Sequence, residues 1–213
     1  MNQVFLNLRN QMQSRLEHRE QIYDPKILHR WAAVHLILHH SDCWRVAMIK
    51  RVLNVKDPWS GHYAFPGGRV EKGEGHKEAA LRETSEEVGL GVSEESYLGQ
   101  FYSFQIKVKD EPINLGISSH LSVLSGGLPK LTPQPKEVQE AFWFKVGDLL
   151  NPNHVTSQNF KGFTGSFHRP CIVFEGHTIW GISYFILREL LLQYEGMALE
   201  ENLIIDAGVL PLA

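Results

Sequence analysis

Three glutamates near the middle of the chain have the type and spacing needed to bind a divalent cation. Glu83, Glu86 and Glu87 are three and four positions apart, so on a helix their side chains project from one face within one turn. Carboxylates that close repel one another, and a face exposed only to water usually interleaves Lys or Arg. Because hard divalent cations prefer oxygen ligands and relieve this repulsion, we expect these glutamates to bind a metal.

A glycine pair precedes this acidic segment. Gly67 and Gly68 permit backbone angles that other residues avoid and let the main chain approach a ligand, so the Gly68 carbonyl is a further candidate metal ligand. Glu74 lies just before the segment, where a helix dipole favours a carboxylate. Arg82 carries the fork of donors that can hold a carboxylate by a bidentate contact.

A helix is needed to position the glutamates, and the sequence predicts one over residues 75–88. Ala80, Thr84 and Val88 recur every fourth residue and form a stripe small enough to pack closely on a sheet. Gly89 is the expected C-terminal cap. The helix is therefore expected to be buried on one side and acidic on the next.

The rest of the chain mixes strands and helices. Strand patterns occur in six segments: residues 31–39, 43–52, 97–109, 113–124, 141–145 and 169–174. The third and fourth of these are predicted to form a long hairpin. Loops are predicted at residues 54–68 and 125–135, an amphipathic helix at 2–19 and an apolar helix at 178–194. Because the elements do not alternate as βαβ units, we expect a layered α/β or α+β fold.

Composition limits the class of protein. The 213 residues are 43% hydrophobic and 21% charged, with a formal net charge of −3, which is typical of a soluble globular protein without a field that attracts nucleic acid or anionic lipid. No apolar run is long enough to span a bilayer, and the amphipathic N-terminus lacks the apolar stretch of a signal peptide. We therefore expect a cytoplasmic protein, with organelle import as the open alternative. Two cysteines cannot form a disulfide framework.

The acidic segment and the residues around it resemble the Nudix box, G-x5-E-x7-R-E-U-x-E-E-x-G-U, in which U is aliphatic. Eight fixed positions match: Gly68, Glu74, Arg82, Glu83, Glu86, Glu87, Gly89 and Leu90. Thr84 departs from the pattern, since it occupies an aliphatic position. The resemblance implies an α/β/α sandwich with a mixed central sheet over residues 31–194, with an N-terminal helical extension (1–30) and a C-terminal tail (195–213).

Membership of the Nudix superfamily would imply an enzyme that hydrolyses a diphosphate linkage with Mg²⁺ or Mn²⁺. The resemblance assigns metal binding and catalysis to Glu83, Glu86 and Glu87, and a catalytic or orienting role to Arg82. In this family the general base can be a helix glutamate or one from a distant loop. Glu137 is our candidate for the distant base, with Glu140 as the alternative.

Residues before the box are similar to the coenzyme A pyrophosphatase-like branch, which has G-x3-F-P-G-G where this chain has residues 61–68. That branch has a small residue and an Arg at positions occupied here by Leu53 and Asp57. Arg51 or Lys56 could supply the missing positive charge.

Specificity is expected in the loops at 52–63, 125–137 and 152–168. Arg51, Arg69 and Phe65 are the candidate substrate-binding residues. We expect a small nucleotide substrate, no stable binding to nucleic acid or membrane, and leave a homodimer open. ADP-ribose, dinucleotides, nucleoside triphosphates and capped RNA are the alternative substrates, and a non-catalytic nucleotide-binding module is the alternative from another class.

Overall fold

The computed structural model describes residues 29–55, 57, 59–108, 111–162 and 165–193. The chain divides into two compact units, the first made of residues 1–41 and 65–134 and the second of residues 42–64 and 135–213. The predicted helix at 2–19, the tail at 195–213, Lys56 and the hairpin turn at 109–110 lie outside the described residues. The boundaries placed after residues 30 and 194 stay predictions.

The described residues form ten strands, three α-helices and one 3₁₀ turn (Pro152–His154). The strands are β1 (Trp31–His40), β2 (Trp44–Arg51), β3 (Tyr63–Ala64), β4 (Gly67–Arg69), β5 (Tyr97–Val108), β6 (Glu111–Ser125), β7 (Val138–Lys145), β8 (Val155–Gly162), β9 (Gly165–Phe174) and β10 (His177–Trp180). The helices are α1 (His76–Val88), α2 (Val146–Leu150) and α3 (Gly181–Gln193). None of the helices in the part of the chain that the structure describes is long and apolar enough to cross a membrane.

The first unit contains a mixed sheet. Strand β1 pairs in parallel with β6 and antiparallel with β4, while β5 and β6 form the predicted antiparallel hairpin. The middle of β1 is buried on both faces, with Leu36, Ile37 and Leu38 at 0% exposure, which explains its nearly continuous apolar sequence. The mixed α/β fold class is thus confirmed.

Helix α1 packs on this sheet and has clear reasons to begin and end where it does. Gly75 precedes it in an extended conformation, and Gly89 ends it in the left-handed conformation, with φ +65°, as a glycine cap requires. Ala80, Thr84 and Val88 are fully buried, so the predicted small stripe is confirmed.

A short segment of the following loop closes the end of helix α1. The N–H of Thr132 donates to the Val88 carbonyl at 2.7 Å, and the N–H of Gln134 donates to the Glu87 carbonyl at 2.9 Å. Carbonyls in the last turn of a helix lack partners within the helix. The chain itself therefore satisfies two of them.

The second unit contains two antiparallel sets of strands, β3-β2-β7 and β8-β9-β10. Its aromatic side chains meet around Tyr63, whose hydroxyl lies 2.9 Å from His177 Nδ1 and whose ring packs against Phe142 and Phe144. One side of helix α3 is apolar and fully buried, including Tyr184, Leu187 and Leu190.

Three sequence predictions are wrong in the type of secondary structure. The helix predicted at 178–194 is a strand, β10, up to Trp180, because Thr178 to Trp180 pair with β9 and Gly181 then breaks the strand with φ +63°. The loop predicted at 152–168 contains β8, an exposed edge strand whose polar residues carry no apolar alternation. Gly67 and Gly68 lie in strand β4 and not in a loop.

Candidate metal centre

The three glutamates of helix α1 lie in two different environments. Glu83 and Glu87 are buried, at 8% and 1% exposure, whereas the Glu86 side chain is 58% exposed. Carboxylate oxygens of Glu83 and Glu87 lie within 4.8 Å of each other. Two like charges held that close, away from bulk water, need compensation by positive charge or by hydrogen bonds.

Strand β4 brings its backbone against both buried carboxylates. The N–H of Gly67 donates to Glu87 Oε2 at 2.8 Å. A Cβ atom on Gly68 would lie 2.4 Å from Glu83 Oε1 and 2.5 Å from its Cδ, a separation that real Cβ atoms do not adopt. Gly68 therefore makes room for the Glu83 carboxylate, and the predicted approach of the glycine backbone to a ligand stays a prediction.

Gly67 is constrained from the other side. A Cβ atom on it would lie 2.3 Å from the carbonyl oxygen of Ala33 in the neighbouring strand β1. Its φ of +156° is also one that other residues rarely adopt. The two glycines thus let strand β4 fit between β1 and the acidic face of helix α1.

Arg82 holds the surrounding carboxylates in place. Its Nε and Nη2 atoms donate to the two oxygens of Glu74 at 2.8 and 3.0 Å, which confirms the predicted bidentate contact. Its Nη1 atom donates to Glu83 at 2.9 Å and to Glu86 at 3.1 Å. The hydrogen bonds from Arg82 lower the pKa of the Glu74 carboxyl, and those to Glu74 raise the pKa of Arg82, so both groups are charged at neutral pH.

The charge at this site is strongly negative and the donor atoms are hard oxygens. Arg82 supplies one positive charge against the three carboxylates that it contacts, and Glu87 adds a fourth carboxylate beside them. Such a set of oxygens suits Mg²⁺ or Mn²⁺ and disfavours soft metals. The residues present therefore fit the cation that the sequence predicts.

A buried polar chain behind the helix was not anticipated from the sequence. His35 lies at 0% exposure and contacts Thr84 Oγ1 at 2.9 Å through Nδ1 and Ser122 Oγ at 2.7 Å through Nε2. Burial, with a smaller contribution from the nearby His120, lowers the pKa of His35 to about 3, so the ring is neutral. The available signal was a histidine within an apolar strand together with Thr84 at an aliphatic position of the motif.

The predicted residues of the second unit have their own local partners. Arg51 donates through Nε and Nη2 to Asp57 Oδ2, at 3.0 and 2.7 Å, so an acidic partner neutralises the cation proposed for substrate binding. Glu137 is exposed in the turn before β7, and its carbonyl accepts the N–H of Val52. The functional roles of Arg51 and Glu137 stay predictions.

The other two candidate substrate-binding residues differ in exposure. Arg69 is exposed at the end of strand β4, and its carbonyl accepts a hydrogen bond from Arg82. Phe65 is 2% exposed and belongs to the core, so its ring is not displayed for stacking in this conformation. Their roles in substrate binding also stay predictions.

The sequence of this chain is similar to those of known proteins. A family model described as NUDIX domain matches residues 28–161. A probable nudix hydrolase of Schizosaccharomyces pombe is 34% identical over 129 residues, which cover 60% of this chain and 43% of that protein. A mitochondrial coenzyme A diphosphatase of Mus musculus is 27% identical over 128 residues, which cover 59% of each chain. The match thus spans less than two thirds of either relative.

A solved structure shares the fold. The crystal structure of a MutT/nudix family protein from Enterococcus faecalis superposes with a TM-score of 0.53 at 20% identity and covers 88% of this chain and 68% of that one. At that identity the similarity supports the fold alone.

Proposed function

The chain belongs to the NUDIX domain family, whose model matches residues 28–161, and on that basis we propose that it hydrolyses a diphosphate linkage in a nucleoside diphosphate derivative with the help of Mg²⁺ or Mn²⁺. The observation that carries the proposal is the pair of buried carboxylates, Glu83 and Glu87, with oxygens within 4.8 Å of each other. Their burial against a glycine strand would be costly for a purely structural pair. An acidic helix that only faced water would leave these carboxylates exposed.

Four groups would hold the cation. They are the carboxylates of Glu83, Glu86 and Glu87 and the carbonyl of Gly68. When bound, the metal neutralises phosphate oxygens and lowers the pKa of water.

The protein's own groups prepare the site. Arg82 fixes Glu83 through Nη1 and fixes Glu74 through a two-point contact. Glu74 in turn accepts the N–H of Glu71, which ties the loop before the helix to the same guanidinium. Held in this way, the carboxylates need little reorganisation when substrate binds, which is the main route by which electrostatic sites lower a barrier.

Glu137 is our candidate for the group that takes a proton from the attacking water. It is exposed and precedes strand β7, and Glu140 lies three residues further on, also exposed. Glu137→Gln should lower kcat by about a hundredfold. Glu140→Gln is the matched control, and equal effects of the two variants would remove Glu137 from this role.

Coenzyme A or one of its derivatives is the substrate class that we place first. Support comes from the F-P-G-G sequence at residues 65–68 and from the mouse coenzyme A diphosphatase among the relatives. Asp57 weakens the case for coenzyme A. It forms an ion pair with Arg51, the residue expected to contact the substrate's phosphates. ADP-ribose and dinucleotides are therefore the competing substrates.

A product-resolved screen tests both the activity and the substrate. The purified chain is incubated with coenzyme A, ADP-ribose, NADH or a diadenosine polyphosphate and Mg²⁺, and the phosphate-containing products are identified by mass spectrometry. We expect cleavage of the diphosphate, loss of activity with a chelator, and its return with excess Mg²⁺ or Mn²⁺. Binding of these nucleotides without cleavage under all metal conditions would instead identify a non-catalytic nucleotide-binding module.

A further inference from the structure

His35 connects the glycine strand and the acidic helix through two different parts of the same residue. Its backbone N–H donates to the Pro66 carbonyl at 2.8 Å, immediately before Gly67. Its imidazole reaches Thr84 in helix α1, at 2.9 Å from Nδ1 to Oγ1. The residue thus holds the strand from one side and the helix from the other.

The hydrogen bonds of the buried chain have a definite direction. The Thr84 hydroxyl donates to the Ala80 carbonyl at 2.8 Å, so its oxygen is left to accept from the N–H of His35 Nδ1. His35 Nε2 then accepts from the hydroxyl of Ser122, at 2.7 Å. His35, Thr84 and Ser122 are all at 0% exposure, and a broken link would leave a buried polar group without compensation.

These contacts form a closed path that includes the Glu87 carboxylate. From His35 the path runs to the Pro66 carbonyl, along the peptide bond to Gly67, and from the Gly67 N–H to Glu87 Oε2 at 2.8 Å. It returns along one turn of helix α1 from Glu87 to Thr84, and from Thr84 to His35. Glu83 is the neighbour of Thr84 in sequence, so both buried carboxylates are attached to this path.

We propose that His35 is a positioning residue that fixes helix α1 on the glycine strand and thereby sets where Glu83 and Glu87 place their carboxylates. The hydrogen bond to Thr84 carries this role, and the bond to Ser122 holds the ring in the required tautomer. The effect on metal binding rests on the proposed function. The effect on the placement of the helix rests only on the contacts of His35 with Pro66 and Thr84.

Two variants of His35 separate its two hydrogen bonds. The amide of Asn lies at the distance of Nδ1 along the side chain, so His35→Asn retains a donor toward Thr84. The amide of Gln lies at the distance of Nε2, so His35→Gln retains the contact with Ser122 and loses the one with Thr84. Both bury one amide of similar polarity, which makes each the control for the other.

Two measurements are made on each folded variant without nucleotide. The first is Mn²⁺ affinity by isothermal titration calorimetry. We expect His35→Gln to bind Mn²⁺ about tenfold more weakly, because it loses a group that orients the metal ligands. The affinity of His35→Asn should stay close to that of wild type. The second is amide exchange of Gly67 by NMR in the metal-free protein. His35→Gln should accelerate this exchange severalfold, and His35→Asn should leave it close to wild type.

The outcomes are distinguishable from failure of the proposed function. If wild type binds no Mn²⁺, the proposed function fails, while Gly67 exchange still decides whether His35 places the helix. Equal changes in the two variants, or Gly67 exchange unaltered in both, would overturn the positioning role. If either variant does not fold, Thr84→Ser and Thr84→Val replace the pair, since only serine keeps the oxygen that accepts from His35.

Discussion

The guanidinium of Arg82 and the carboxylate of Glu74 form a two-point ion pair, with N–O distances of 2.8 and 3.0 Å. The same guanidinium also reaches Glu83 and Glu86. One planar group therefore orders three carboxylates, a task for which the geometry of arginine is suited and that of lysine is not.

Replacing Arg82 with Lys should keep the charge and lose this order. We expect Arg82→Lys to lower kcat by about 10- to 100-fold while the protein remains folded, because a point charge cannot hold Glu74 and Glu83 together. Steady-state kinetics and thermal melting followed by circular dichroism measure the two effects. Arg45→Lys is the matched control, since Arg45 makes a similar two-point contact with the exposed Asp42; an equal loss of kcat there would contradict the assignment.

Substitution of the exposed glutamate of helix α1 should lower activity without lowering stability. Glu86→Gln and Glu87→Gln are each expected to lower kcat by about a hundredfold or more, because both remove a charge that faces the metal and phosphates. The Glu86 side chain is 58% exposed, so Glu86→Gln should leave the melting temperature unchanged. Glu78→Gln, at an exposed position in the first turn, is the control. Near-normal turnover in both Glu86 and Glu87 variants would refute their roles.

A methyl group at residue 68 should displace Glu83. In Gly68→Ala the new Cβ would meet the Glu83 carboxylate at 2.4 to 2.7 Å, so we expect weaker Mn²⁺ binding, by about tenfold, and a lower kcat. Gly91→Ala offers the comparison, because nothing lies within 4 Å of a Cβ there. Calorimetric titration with Mn²⁺ gives the affinities, and equal affinities for the two variants would show that Glu83 does not depend on this space.

Stability of the metal-free protein should fall as the pH falls below about 6.5. Burial lowers the pKa of His35 to about 3 and that of His120 to about 4, against 6.5 in the unfolded chain. The unfolded state therefore binds more protons between these values, and it is favoured by acid. Each histidine contributes a slope of about 1.4 kcal/mol per pH unit well inside that range.

The contribution of one histidine can be isolated with a variant that does not titrate. The free energy of unfolding is measured with urea at pH 6.0, 5.5 and 5.0. Its decrease with falling pH should be less steep in His35→Asn than in wild type, by the slope that corresponds to about one proton. After burial, His120 is the titratable neighbour that contributes to the lowered pKa of His35, so His120→Asn is measured alongside it. Parallel slopes in wild type and His35→Asn would mean that His35 is accessible to protons in the folded state.

Local patterns predicted helix α1 well, and they failed where partners are distant in sequence. The small stripe of Ala80, Thr84 and Val88 and the glycine at residue 89 are local signals, and the helix ends as they predict. Gly67 and Gly68 were predicted as loop because glycines carry no strand pattern. Their strand is created by pairing with β1 more than thirty residues away.

The same distinction applies to the site. The proximity of Glu83 and Glu87 could be predicted from spacing alone because they lie on one helix. The role of His35 could not, because its partners Thr84 and Ser122 are separated from it by 49 and 87 positions. Residues 178–180 show a related ambiguity, since an apolar run fits both a buried strand and a buried helix.

The backbone N–H groups of Thr132 and Gln134 donate to carbonyls in the last turn of helix α1. These bonds hold one part of the loop, and residues 126–128 lie outside them. Gly126 and Gly127 have open space around an added Cβ, and Leu128 is 45% exposed. Insertion of a peptide tag or a change in chain length belongs at residues 126–128, where loop closure adds little free energy. The same insertion at residues 132–134 would break the hydrogen bonds to the last turn of helix α1.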